Sequence, residues 1–239
     1  MRAKSILSML ILSAATVSLA ADSFDYKIAD IRVMQDRAVQ TDLGIDEALR
    51  AKLNKHAAWF DGELKKMQEK HKDRFDPTKP PPNDIVQEMN KKQEELKKRV
   101  LGELSDAQVK RLRELTIQFA GMPALMEPTI AKRIGLTDAQ LKKLRSSFEE
   151  MVSKSSKIEQ EATKPVYEKF KNRQPANEEE ARKLQEEIQK EIAAVQEKIA
   201  PKTLKLRDEW FLVIKKTVKA IQLNRFEDLQ GKLFKPPAS

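Results

Sequence analysis

From Asp46 onward, apolar side chains return every three or four positions. Leu49, Leu53, Ala57, Phe60, Leu64 and Met67 make the first stripe, which predicts a helix from Asp46 to about Arg74. The proline-rich stretch Asp76–Pro82 stops it. Asp84, with Gln87 at the capping position, opens a second helix carrying Ile85, Met89, Leu96 and Val100, and the two helices form a hairpin. Val109, Leu112, Leu115 and Phe119 mark a third. Gly121, Pro123 and Pro128 then cut the chain into short pieces, with Leu125, Ile130 and Ile134 available for burial. Leu141, Leu144, Phe148 and Met151 begin a long helix that Pro165 should kink or end, with Val166 and Phe170 continuing the stripe. Asn177 caps another, whose stripe runs Ala181, Leu184, Ile188, Ile192, Val195, Ile199. Pro201 interrupts it, and Trp210, Ile214 and Val218 resume it. Leu223 to Phe234 is a last amphipathic piece. The fold class expected is all-α, built of extended helical hairpins.

Two segments share a signature. Leu104-Ser105-Asp106-Ala107-Gln108 and Leu136-Thr137-Asp138-Ala139-Gln140 each lead into a basic, leucine-bearing helix. Ser105 and Thr137 are N-cap residues, and Gln108 and Gln140 reach back to the cap's backbone N–H, completing a capping box. Leu104 against Val109, and Leu136 against Leu141, have the spacing of a hydrophobic staple. These residues start helices and carry no catalytic signature. Ile45-Asp46 is a degenerate third opening, in which Leu49 stands where the glutamine would be.

The repeats pair up. Gly44 through Leu53 aligns without a gap on Gly135 through Leu144. Arg111-Leu112-Arg113-Glu114-Leu115, followed by Gly121, resembles Arg225-Phe226-Glu227-Asp228-Leu229, followed by Gly231. An internal duplication is expected: one helical unit over 43–121, a connector over 122–133, and a second unit over 134–234. Residues 21–42 show little periodicity and read as a lead-in, and 235–239 as a disordered tail.

Residues 1–20 have the form of a cleavable signal peptide. Arg2 and Lys4 come first, Ile6 to Leu19 is apolar, and Ser18-Leu19-Ala20 offers a small-x-small cleavage site. An exported, periplasmic location is therefore expected. The chain has no cysteine, which removes disulfides and lipid anchoring through a cysteine at the cleavage site. With 35% charged and only 5% aromatic residues, thin helical packing fits better than a large core. The net charge of +9 becomes +7 without Arg2 and Lys4. Export argues against nucleic acid as the partner, leaving acidic unfolded chains, acidic polysaccharide or, weakly, anionic membrane surfaces.

The leader, the basic helix-rich composition and the residues Leu104, Ser105, Gln108, Leu136, Thr137 and Gln140, with Ile45 and Asp46 as the degenerate copy, resemble the exported LTxxQ-motif family of Spy- and CpxP-like stress proteins. The resemblance implies an ATP-independent holdase chaperone or envelope-stress protein whose partners are unfolded or envelope proteins. A tandem pair of units in one chain would match what smaller relatives achieve by dimerising, so a monomeric pseudo-dimer stands beside a homodimer. The rival reading is a structural adaptor of the cell envelope with one fixed protein partner.

No enzyme, cofactor or metal site is expected. His56 and His71 would lie about 22 Å apart along one helix, with His56 at the packed edge and His71 exposed. The glutamates, such as Glu149 and Glu150, read as solvated helix surface. Met122, Leu125 and Met126, between two helix breakers, are the candidate client-binding residues, methionine being suited to promiscuous apolar contact; the other reading of the segment is a plug at the junction between the two units. Trp210 and Phe211, being adjacent, point to different sides of a helix, one of them a candidate exposed aromatic beside Lys215 and Lys216.

Overall fold

The computed structural model describes residues 24–74 and 80–236, so the leader lies outside the described residues. Among those residues all regular structure is helical. Helices α1 (Phe24–Ile28), α2 (Arg37–Asp42), α3 (Glu47–His71), α4 (Asn83–Gly102) and α5 (Asp106–Ala120) are followed by α6 (Pro128–Ile134), α7 (Asp138–Phe170), α8 (Glu178–Thr217) and α9 (Ala220–Gln230). Short 3-10 turns at Ile31–Gln35 and Met122–Met126 precede α2 and α6. The chain divides into two units: residues to Thr116 together with Phe234 onward, and Ile117–Leu233.

Each unit repeats one order of elements. A 3-10 turn leads into a short helix capped by an acid, Asp36 in the first unit and Glu127 in the second. A glycine at positive φ, Gly44 or Gly135, turns the chain into the opening long helix. That glycine is needed because an L side chain rarely adopts this backbone region. The opening helix pairs with a returning helix, α3 with α4 and α7 with α8. A capped closing helix follows, α5 or α9, and ends at a glycine; Gly121 and Gly231 share φ 61° and ψ −147°. The segment read as a lead-in is thus the first unit's own 3-10 turn and short helix, and the segment read as a connector is the second unit's. Both are buried. Ala29, Met34, Val39 and Leu43 join Leu101, Leu104, Leu112 and Leu115 in one core, and Leu125, Ile130 and Ile134 are almost wholly enclosed. The division falls inside α5, where 15 residues of helix without a break hide it from a reading by periodicity.

The first unit's N-terminal segment is tied to α5 by polar contacts. The Asp30 N–H donates to Thr116 Oγ1 at 2.9 Å, and the buried Arg113 guanidinium donates to Asp25 Oδ1 at 2.8 Å. The second unit's hairpin is longer. Helix α8, with 40 residues, extends about 60 Å at 1.5 Å per residue. Its stripe from Leu184 to Ile199 is half-buried throughout, as expected of two paired helices with nothing further covering them.

Three local expectations are corrected. Pro165 and Pro201 neither end nor interrupt their helices, since α7 and α8 run through them. Both prolines are exposed, as are Glu161 and Glu197 one turn earlier, so the freed carbonyls face water. Asp84 does not cap α4, which starts after Pro82 without a side-chain cap. Instead Arg74 donates to both Asp84 oxygens, at 2.8 and 2.9 Å. His71 is buried, not exposed, and its Nε2 lies 2.9 Å from Glu88 Oε2 on α4.

Candidate functional site

Thr137 and Gln140 form a complete capping box: the Gln140 N–H donates to Thr137 Oγ1 at 3.2 Å, and the Thr137 N–H to Gln140 Oε1 at 2.9 Å. Ser105 and Gln108 do the same at 3.3 and 2.9 Å. The glutamines do more than cap. Gln140 Nε2 donates to the Thr217 carbonyl at 2.7 Å, at the end of the returning helix. Gln108 Nε2 donates to the Leu43 carbonyl at 3.0 Å, just after α2. Each glutamine therefore starts its own helix and fastens it to a neighbour. Asp46 caps α3 by accepting from the Leu49 N–H at 2.7 Å, and Ile45 is buried beside it.

The closing repeat at Arg225–Leu229 has an opening too, a fourth copy of the motif without its Leu-Ser/Thr pair. Val218 is buried as Leu104 is, and the Lys219 N–H donates to Gln222 Oε1 at 2.9 Å. A lysine side chain cannot accept the return bond, so only half the box forms. Gln222 then mirrors Gln140: its Nε2 donates to the Gly135 carbonyl. The signal was present in register. Arg111 stands three places after Gln108, and Arg225 three after Gln222. Arg111 binds Asp42, the last residue of α2, at 2.6 Å. Arg225 donates to the carbonyl of Ile134, the last residue of α6, at 3.4 Å. These residues start helices and fasten them to their neighbours.

Of the three candidate client-binding residues, Leu125 has no exposed surface, and Met122 and Met126 are half-buried. The Met126 carbonyl accepts from Arg145 Nη2 at 2.9 Å. Leu125 fills the core between its 3-10 turn, α6 and α7, so it cannot meet a client without unfolding that core.

The exposed apolar surface lies elsewhere in the second unit. Trp210 is buried, its ring tilted against that of Phe148 at 5.0 Å between centroids. Phe211 is half-buried, with Arg207 over its ring at 5.7 Å. Leu204 and Leu212 are 45% and 53% exposed. At 100° per residue, Leu204, Phe211 and Leu212 fall on one side of α8. Between Lys202 and Lys219 the helix and its cap carry six basic residues and only two acids, Asp208 and Glu209. Among the described residues, no three His, Cys, Asp or Glu side chains are grouped to hold a metal ion. His56 and His71 each face a separate glutamate, Glu103 and Glu88. No helix of the described residues is long and apolar enough to cross a membrane. Compared with family models, with curated proteins and with solved structures, the chain finds no match.

Proposed function

We propose that this is an exported binding protein that holds unfolded polypeptides without ATP, in the manner the Leu-Ser/Thr-x-x-Gln resemblance implies. The observation that carries the reading is the outer side of α8, where Leu204, Phe211 and Leu212 sit uncovered or half-covered among Lys205, Arg207, Lys215 and Lys216, with Asp208 between them. Such a face offers modest apolar area for a chain of any sequence, and positive charge that draws an acidic one. Association by this route is fast, weak and sensitive to salt. The amide-locked helix starts supply a frame that keeps the apolar face from collapsing into a core.

The test is light scattering from an aggregating, net-acidic client. Suppression is expected near equimolar protein, weaker at high salt, and weaker again in the Leu204→Ser/Leu212→Ser variant at unchanged helicity. Absence of suppression with several clients, combined with crosslinking to one recurrent protein, would replace the holdase by an adaptor with a fixed partner.

A further inference from the structure

The two units differ at a matching pair of positions in their hairpins. Ala57 stands eleven positions after the cap Asp46, and Phe148 eleven after the cap Thr137. Leu96 stands nine before Ser105, and Trp210 nine before Lys219. In the second unit the two large rings meet at 5.0 Å between the paired helices α7 and α8. In the first unit the smaller pair leaves a groove of about 890 Å³, which both Ala57 and Leu96 line. Its size falls within the ordinary range of ligand pockets.

Ile31, Met34, Leu53 and Phe60 supply more apolar wall. Gln35, Asn54 and Gln93 stand at its edge, with side-chain amides that donate and accept, as peptide groups do. The charges around it balance: Lys27, Arg32 and Lys97 against Asp30, Asp61 and Glu94. Arg32 is already held by Asp30, with Nη2 to Oδ2 at 2.6 Å. A balanced rim does not select a charged ligand.

We propose that this groove binds an uncharged polypeptide segment by taking up one aromatic side chain, in the space that Phe148 and Trp210 fill in the second unit. The amide rim holds the segment's backbone, and the apolar walls hold the ring. The proposal takes from the holdase reading only that the occupant is polypeptide. It concerns a different surface from the outer side of α8, and the two are measured separately.

The experiment titrates the full chain with an uncharged pentapeptide bearing one central phenylalanine, followed by calorimetry and by the methyl signals of Met34 and Ile31. Shifts of those signals are expected, with at least tenfold weaker binding when alanine replaces the phenylalanine. The variant Ala57→Phe/Leu96→Trp rebuilds the second unit's filling in the first. It should bind at least tenfold more weakly than the unaltered protein while melting at the same temperature or higher. Should the double variant misfold, Ala57→Leu carries the same comparison. Unmoved Met34 and Ile31 signals, equal affinity for the alanine peptide, or full binding by the filled variant would each overturn the proposal. N-acetylphenylalaninamide binding as tightly as the pentapeptide would also overturn it, because the amide rim would then contribute nothing. Aggregation suppression measured on the same variant tells the two sites apart: suppression kept with peptide binding lost leaves the α8 reading standing.

Discussion

Gln140 and Gln222 exchange hydrogen bonds, Nε2 of each donating to Oε1 of the other at 2.9 and 3.1 Å. Each Oε1 also accepts from the N–H of its own cap residue, Thr137 or Lys219, and each Nε2 also reaches the backbone two places before the other's cap. All four hydrogen-bonding positions of both amides are thereby used. Gln222 is buried, so losing Gln140 leaves it short of bonds it cannot replace with water, whereas Gln140 is half-buried. Gln140→Leu and Gln222→Leu should each cost about 1–3 kcal/mol. The double variant should cost less than their sum by about 1 kcal/mol, because each single change already spends the shared bonds. Urea unfolding of the four proteins checks it, and strict additivity would show the pair to be uncoupled.

The first unit has Leu49 where the second has Gln140, so only Gln108 does this work there. That asymmetry was legible in the sequence, as were the capped starts at Asp46, Ser105, Thr137 and Asn177 and the stripes that follow them. What the glutamines reach was not legible, since a capping box explains the residue fully without its second bond. Lys219 hid the fourth copy because a lysine is no N-cap by side chain, although its backbone plays the part. The packed elements inside the lead-in 21–42 and the connector 122–133 were not legible for a different reason. Their helices are only 5 to 7 residues long, too short to show a period, and their burial comes from contacts with elements distant in sequence. The prolines at 165 and 201 misled because a helix's tolerance of proline depends on whether the freed carbonyl meets water, which spacing does not reveal.

Glycine substitutions at a strained, crowded turn and in an open helix should have opposite signs. Gly135 sits at φ +81°, and a Cβ there would lie 3.3 Å from Arg225 Nη1. Gly135→Ala should destabilise by about 1–2 kcal/mol. Gly62, inside α3, has nothing within 4 Å of its would-be Cβ, and Gly62→Ala should stabilise by about 0.5–1 kcal/mol through helix propensity. Thermal melts of both variants decide the matter. A neutral Gly135→Ala would mean that the turn into α7 accommodates an L residue.

Acid should loosen the α3–α4 hairpin. Lys66 at 2.8 Å and Lys92 at 2.6 Å hold the Glu63 carboxyl well below the usual range, at about 2. His71 and Lys70 pull Glu88 down in the same sense, and Lys52 and His56 pull down Glu103. A carboxyl whose folded pKa is depressed stabilises the fold fully above its unfolded value of about 4.5 and loses that contribution as pH falls toward about 2. The melting temperature should therefore drop between pH 4.5 and 2.5. In Glu63→Gln the drop should be shallower and the value at pH 7 lower. An unchanged acid limb in that variant would remove Glu63 from the account.

Phe234 comes from the far end of the chain yet belongs to the first unit, packed on the core that joins Ala29, Val39, Leu101 and Leu112. Gln118 Nε2 donates to the Gln230 carbonyl and, at 2.8 Å, to the Lys232 carbonyl, fixing the path just before it. A fully buried phenylalanine loses about 3–5 kcal/mol on truncation to alanine. Phe234 is half-buried, so Phe234→Ala should cost about 1–3 kcal/mol on the same scale. The loss should appear where the ring packs. Hydrogen exchange should quicken at Val39, Leu101 and Leu112, while the α7–α8 hairpin keeps its protection. Leu233→Ser is the control, since Leu233 is 66% exposed and its replacement should stay within about 0.5 kcal/mol. Faster exchange confined to α7 and α8 in the Phe234 variant would show that the C-terminal segment stabilises the second unit and not the first.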